Sequence, residues 1–431
     1  MKTTCWNVAS GSVGYIGGCR SRLKRLSSGP LFKIEACLLA VAVFLFAAVS
    51  HLHALASLHH AGHLAVRAHP GFLLAMALPL GQEMLGPAFR AGLVKALTES
   101  FTIEHLTVTP MRRRPGSRHV FSFEFIIGDQ LTGKRRSIEL VGKRDTSRAA
   151  GKAAREFDAM RTLWNAGFDR DEYLRIPRPI QFFPDFQLIL QGKARGSKLR
   201  TFIGKASDVS LGYARMAGLW LAKLHTLKVA SPQICTYAHE AASLRTFVDT
   251  LAMAQPKLAR ELHQIAALIE QRFSEFQGVP AAMVHGDFHP DHVFVNKESI
   301  TLIDFERFSL ADPALDLGSF IAHMRTTACC LGREPSATNR EIEAFLESYF
   351  TAVSPKPDSG ILWRIASYVT LSNLEALYYV AGVLRVADPS RLGMYLNCIR
   401  RSELVEPASA VLPFALRNTV FPGRGVPDRI I

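Results

Sequence analysis

The sequence predicts an α+β chain in which a small antiparallel sheet comes first and a larger, mostly helical lobe follows. Three observations predict it. Strand-like alternation with turn signals fills residues 103–142, and helical periodicity covers most of 208–401. Inside the helical half, two short hydrophobic segments carry His-Gly-Asp and Ile-Asp-Phe-Glu.

The bulk composition agrees with a folded enzyme-sized chain. Of 431 residues, 48% are hydrophobic and 20% charged, which supplies a sizeable core. A net charge of +14 favours anionic partners such as nucleotides or phosphorylated compounds. There is no zinc-finger spacing, RNA-binding aromatic signature or long Lys/Arg block, so nucleic acid is not an expected partner. Nothing points to a protein partner. The seven cysteines are scattered and lack a C-x-x-C pair. They fit a reducing compartment better than a disulfide framework or a zinc site.

Residues 1–83 read as an N-terminal extension. An apolar run from Ala36 to Val49, continuing to 58 at the expense of two histidines, is flanked by bases upstream and a His-rich stretch downstream. Three readings fit it: a membrane helix with its basic flank inside, a signal-like segment, or a native start further on, at Met76 or Met84. The expected location is the cytoplasm, with membrane association if 36–58 is a span.

The elements then follow in order. Residues 87–98 read as a short amphipathic helix. Strands are expected at Ile103–Val108, His119–Ile127 and Ser137–Gly142, with a turn at Pro115-Gly116 joining the first two. A helix is expected over 147–166, stopped by Gly167, and a strand pair at 180–183 and 187–191. Helices follow at 208–226, 239–277, 339–353 and 361–401. The expected boundaries are 84–192 for the sheet lobe, 193–418 for the helical lobe and 419–431 for a tail.

The chemistry lies in AMVHGDFHPDHVFV (282–295) and ITLIDFERFSLADPALDLGSF (300–320). Phosphoryl transfer needs one carboxylate to orient the attacking hydroxyl and another to hold a divalent cation against the phosphates. A tight loop between two strands offers Asp287 for the first task. The end of the next strand offers Asp304 for the second. Read alone, Lys143 is an ordinary strand lysine and Glu156 a solvated helix charge. His285 and His289 suit backbone hydrogen bonds within the loop better than metal ligation, and Asp312 before Pro313 suits a turn or helix cap.

Residues from about 84 to 405 resemble the aminoglycoside phosphotransferase and choline kinase-like family. The resemblance rests on both loops and on SIELVGKRD (137–145), AAREFDAMRTLW (153–164), RIPRPIQFFPDFQLILQGKARGSKL (175–199) and MAGLWLAKLHTL (216–227). It implies a protein-kinase-like two-lobed fold with a nucleotide-binding N-lobe over 84–192 and a C-lobe carrying the catalytic and metal loops. It implies that the chain is an ATP-dependent kinase with an alcohol group on a small molecule as acceptor: a sugar, an amino sugar or an amino alcohol. By position, Lys143 would meet the α/β-phosphates and Glu156 would hold it. Asp287 would be the catalytic base, and Asp304 and His292 the ligands of Mg²⁺, with Mn²⁺ as the alternative. Asp316 would support the loop beside His285 and His289.

The sequence departs from the family at one place. The loop H-x-D-x-x-x-x-N ends here in His292 instead of Asn, and an imidazole is a softer ligand than Mg²⁺ favours. Two alternatives follow: a catalytically weak pseudokinase acting as a nucleotide-binding regulator, or a membrane-tethered glycolipid kinase. A histidine also stands here in the lipopolysaccharide core sugar kinases, which look similar in this loop.

Overall fold

The computed structural model describes residues 65–66, 101–114, 118–129, 132–145, 151–229, 233–276, 278–353, 360–383 and 393–399. The apolar segment 36–58, the helix expected at 87–98, the turn residues 115–117 and the tail 419–431 lie outside the described residues. So does the extension 1–83, except for one short strand. Among the described residues no helix is long and apolar enough to cross a membrane.

The chain forms two compact units, Met1–Val66 with Ile103–Leu106, and Arg67–Thr102 with Thr107–Ile431. In the smaller, β1 (Ala65–Val66) pairs in parallel with His105 and Leu106 of β2 (Phe101–Arg114). Everything that follows concerns the larger unit.

Its first sheet includes β3 (Arg118–Asp129), β4 (Arg135–Asp145), β6 (Pro179–Phe183) and β7 (Leu188–Gly192), in the order β3-β4-β7-β6 with every pairing antiparallel. The Phe121, Phe123, Phe125 alternation that marks β3 in the sequence is buried on one face, as a period of two requires. Gly142 of β4 is demanded by this packing, because a Cβ there would lie 2.3 Å from the Phe123 ring. Helix α1 (Lys152–Leu163) packs Ala153, Ala159, Met160 and Leu163 inward. It starts later than the sequence period suggests. A π-helical turn, Trp164–Phe168, continues it, and Gly167 there has φ 103°, the left-handed stop expected of that glycine.

The helical lobe holds α2 (Asp208–His225), α3 (Tyr237–Ala254), α4 (Ala259–Glu275), α5 (Ala314–Cys330), α6 (Asn339–Ala352) and α7 (Ile361–Leu377). Side-chain caps set two of the starts: Ser207 accepts from Ser210 N–H, and Thr236 forms a capping box with His239. The expected helix 239–277 is two helices, because Pro256 interrupts the ladder. The core centres on Trp220, fully buried against Phe168, Phe288 and Phe305. Burying such a ring contributes about 1.5–3 kcal/mol.

Two small sheets set into this lobe carry the polar loops. One has the order β5 (Leu174–Arg175), β11 (Ser299–Leu302), β10 (Val293–Asn296), β8 (Ser197–Lys198). The other pairs β9 (Ala282–Val284) with β12 (Ser309–Ala311). Residues 285–292 therefore leave β9 and return into β10, anchored at both ends.

Candidate active site

The loop 285–292 is shaped by backbone hydrogen bonds before any side chain matters. His292 N–H donates to the His289 carbonyl at 2.9 Å, and Ile303 N–H donates to the His292 carbonyl at 3.0 Å. Gly286 has φ 77°, and a Cβ there would sit 2.5 Å from the Arg307 carbonyl oxygen, so only glycine fits that turn.

Behind the loop stands Asp316, on the first turn of α5 and fully buried. Its two oxygens accept the backbone N–H groups of His285 and Gly286, at 2.7 and 2.8 Å. His225 Nε2 lies 3.2 Å from the same carboxylate, and its Nδ1 meets the Tyr349 hydroxyl at 2.9 Å. His285 is wired into the loop by both ring nitrogens: Asp287 N–H donates to Nδ1 at 3.2 Å, and Nε2–H donates to the Ile303 carbonyl at 3.1 Å. Burial pushes the His285 pKa below its ordinary value, which agrees with this neutral tautomer.

In front of the loop, Asp287, His289 and His292 gather their ligand atoms closely enough to share an ion, but their hydrogen bonds assign them different tasks. His289 Nδ1 accepts from Asp291 N–H at 3.2 Å, which leaves the ring proton on Nε2, 3.7 Å from Asp287 Oδ1. A nitrogen carrying a proton is not a metal ligand. Burial, and after it the nearby imidazoles of His292 and His323, hold the His289 pKa well below its ordinary value. His292 is the reverse case. Its Nδ1–H donates to the Asp287 carbonyl at 3.0 Å, so Nε2 is the nitrogen that faces Asp304 Oδ2, 3.6 Å away, and it offers a lone pair to an ion when it carries no proton. One ion with bonds of about 2.1 Å spans that gap, and a carbonyl partner on the other nitrogen is the usual support for a ligating histidine. Of the two ions expected here, Mn²⁺ accepts an imidazole beside a carboxylate more readily than Mg²⁺, which holds to oxygen ligands and water.

Asp304 itself has φ 75°, an uncommon conformation for a residue with a Cβ and one that costs about 1–3 kcal/mol. Burial would raise its pKa, yet the charges of Lys143, His292 and Arg118 hold the carboxyl well below the ordinary range. Lys143, on the central strand β4, donates to Glu156 of α1 at 2.7 Å, and its Nζ lies 3.7 Å from Asp304 Oδ1. Lys143 and Glu156 are 5% and 1% exposed. They are therefore not the surface charges that composition alone suggests.

The structure thus brings Lys143, Glu156, Asp287, His289, His292 and Asp304 to one place, with His285 and Asp316 immediately behind. Asp312 caps the start of α5 through Ala314 N–H at 2.9 Å, and it also accepts from the Tyr237 hydroxyl at 2.7 Å and pairs with Arg364. Three residues of the cluster escape sequence reasoning. Arg118, at the start of β3, donates to Asp304 at 2.8 Å, pairs with Glu156 at 3.0 Å and also pairs with Glu306. Lys152 pairs with Glu306 as well. Arg118 and Asp304 are 186 positions apart, and no local pattern announces such a contact.

Comparison with known proteins identifies the family and the fold. The sequence profile described as the phosphotransferase enzyme family matches residues 130–358. A protein of Ralstonia eutropha, provisionally named an aminoglycoside phosphotransferase, superimposes with a TM-score of 0.51 at 13% identity, over 77% of this chain and 98% of that one. A choline/ethanolamine kinase family protein of Mesorhizobium loti gives 0.45 at 14% identity, over 70% and 90% of the two chains. An ethanolamine kinase of Plasmodium vivax gives 0.46 at 14%, over 71% and 83%. At such identities the likeness to these structures is one of fold. No curated protein sequence matches. The observed fold is the expected one, a protein-kinase-like α+β architecture with a small antiparallel sheet and a mostly helical C-terminal part.

Proposed function

The chain belongs to the phosphotransferase enzyme family, whose members act on hydroxyl groups of small molecules, and we propose that it moves the terminal phosphoryl group of ATP to such a hydroxyl. One observation carries this reading. The buried Lys143–Glu156 pair stands 3.7 Å from Asp304, and His292 links Asp304 to the loop of Asp287. Such an assembly orients phosphates and a nucleophile together.

In this reading Lys143, held straight by Glu156, binds the phosphates next to the nucleoside. Asp287 orients the acceptor hydroxyl and takes its proton at a carboxylate oxygen as the phosphoryl group arrives. His289, its proton on Nε2, faces that carboxylate and positions it. Asp304 and His292 would hold a divalent ion, which supplies charge neutralisation on the phosphates when bound. Asp316 acts through the backbone of the loop and touches nothing that reacts.

The acceptor follows less directly. Glu240 is buried, and its carboxyl accepts a hydrogen bond from the Cys235 thiol at 2.9 Å. Asp249 pairs with His263 on an exposed face. With those two acids engaged elsewhere and a net charge of +14, an anionic or phosphorylated sugar or alcohol suits the site at least as well as a polycationic one. A second reading, a nucleotide-binding regulator without turnover, is favoured by one contact, the Arg118–Asp304 ion pair.

Thermal unfolding of the full chain separates these readings from error. ATP with Mg²⁺ or Mn²⁺, at about a hundred times its dissociation constant, should stabilise the protein by roughly 2.7 kcal/mol, and Asp304→Asn should abolish the metal dependence. ADP release with candidate acceptors then distinguishes kinase from regulator. No response of wild type to nucleotide with either metal sinks both readings.

A further inference from the structure

Among the described residues, Arg118 is the one cation that pairs with Glu156, Asp304 and Glu306 alike. Its guanidinium pairs with Asp304, Glu156 and Glu306, while Lys143 serves Glu156 and Lys152 serves Glu306. Three cations (Arg118, Lys143, Lys152) thus face three carboxylates (Glu156, Asp304, Glu306), with the charge of Asp145 also acting on Arg118 and Lys152. Glu156, Asp304 and Glu306 also form a group able to share a metal ion. The guanidinium therefore holds a place that a cation would otherwise be drawn to. Its charge is secure: burial works against it, but Glu156 and Asp304 raise the Arg118 pKa above its ordinary value.

Lys143 and Arg118 differ in how firmly they are placed. Lys143 sits in the middle of a central strand and is 6% exposed at its side chain. Arg118 is the first residue of β3 and is 16% exposed. A guanidinium has five donors in a planar fork, suited to phosphate and to carboxylate alike.

We infer that Arg118 is a phosphate-binding residue of this site that serves as the resident counter-ion of Asp304, its pairing with Asp304 and its pairing with a triphosphate being alternatives. The inference rests on the function proposed above. A divalent ion alone must compete with a fixed positive charge at Asp304 and binds weakly. A triphosphate brings its own negative charge, draws the guanidinium, and frees the Asp304 oxygen for the ion. Metal and triphosphate consequently bind better together than apart, and the coupling is reciprocal. Arg118 is a binding and positioning residue in this scheme and carries no proton.

The test uses the full chain and three probes: Mn²⁺ alone, counted by electron paramagnetic resonance; the non-hydrolysable analogue AMP-PNP with Mn²⁺; and adenosine, both followed by calorimetry. Arg118→Ala should bind Mn²⁺ alone several-fold more tightly than wild type and Mn²⁺·AMP-PNP about tenfold or more weakly, because a charged hydrogen bond to phosphate is lost. Adenosine affinity should not change. Arg118→Lys keeps the charge without the fork. It should leave Mn²⁺ binding near wild type and lose part of the AMP-PNP affinity, and it serves if the alanine variant does not fold. A merely structural arginine would weaken all three probes together with the melting temperature, which overturns the inference. So would variants indistinguishable from wild type. If wild type itself fails to bind Mn²⁺·AMP-PNP, the proposed function falls, and the inference with it. That outcome is read before any variant is made.

Discussion

Asp304 and Asp316 flank the same loop and are held in opposite ways. Asp316 is fully buried, and both of its oxygens accept backbone N–H groups. Asp304 is met by the side-chain cations Arg118 and Lys143 and by the His292 imidazole. Backbone donors cannot leave without unmaking the loop, whereas side-chain cations can trade partners. The rear of the loop is thus a scaffold and the front is an exchangeable ion cluster. That difference sorts carboxylates that look alike in the sequence into those whose loss costs chemistry and those whose loss costs structure.

The largest expected effect lies at the front. Asp287 has a partly exposed side chain, and the His289 and His292 rings beside its carboxylate stay 3.7 Å away. Asp287→Asn should therefore lower turnover by about 10²–10⁴-fold and shift stability by no more than about 0.5 kcal/mol. Steady-state ADP release and a urea melt on the same preparation check the pair of numbers. A large loss of stability would move Asp287 to the rear class and break the distinction.

The rear gives the next effect, with the opposite signature. Asp316→Asn would turn an amide NH₂ toward a backbone N–H that needs an acceptor, and would take the negative charge away from His225. Breaking such a buried arrangement costs about 2–5 kcal/mol. The urea midpoint should fall clearly, and the activity of the remaining folded fraction should fall less than in Asp287→Asn. If the midpoint holds while turnover vanishes, Asp316 touches the reaction directly.

The two regions were also unequally legible. The loop could be read because its parts are close in sequence: His-Gly-Asp, the returning strand and Asp304 lie within one hairpin, whereas Asp316 behind it was named only through the family resemblance and its partner His225 lies 91 positions away. The front could not be read the same way. Arg118 looks like one more base after a Pro-Gly turn, and only the folded sheet carries it to Asp304. Helix limits failed for local reasons: the helical period runs on through 239–277, and Pro256 divides it all the same. The metal role proposed for His292 depends on which ring nitrogen faces Asp304, and that is decided by a backbone carbonyl no sequence pattern displays.

The smallest effect is in the response to acid, and here the regions should separate along the pH axis. Burial holds His285, behind the loop, below its ordinary pKa of 6.5, and it does the same to His289 and His323. In the unfolded chain these rings take a proton near pH 6.5, while in the folded one they do so only at lower pH. Below about 6.5 the unfolded state therefore binds more protons, and stability falls as pH drops, by at most about 1.4 kcal/mol per pH unit for each ring. Asp304 behaves as a depressed carboxyl. Its contribution is present above its unfolded value of 3.8 and is lost only as pH falls through its lower folded value. Urea midpoints measured from pH 8 to 4 should thus decline from about 6.5 downward, well before the Asp304 ion pairs are protonated. A flat profile down to pH 4 would mean that the three imidazoles titrate as in water. The neutral tautomer that lets His285 hold the loop from behind would then be wrong, while the ion cluster in front would stand unaffected.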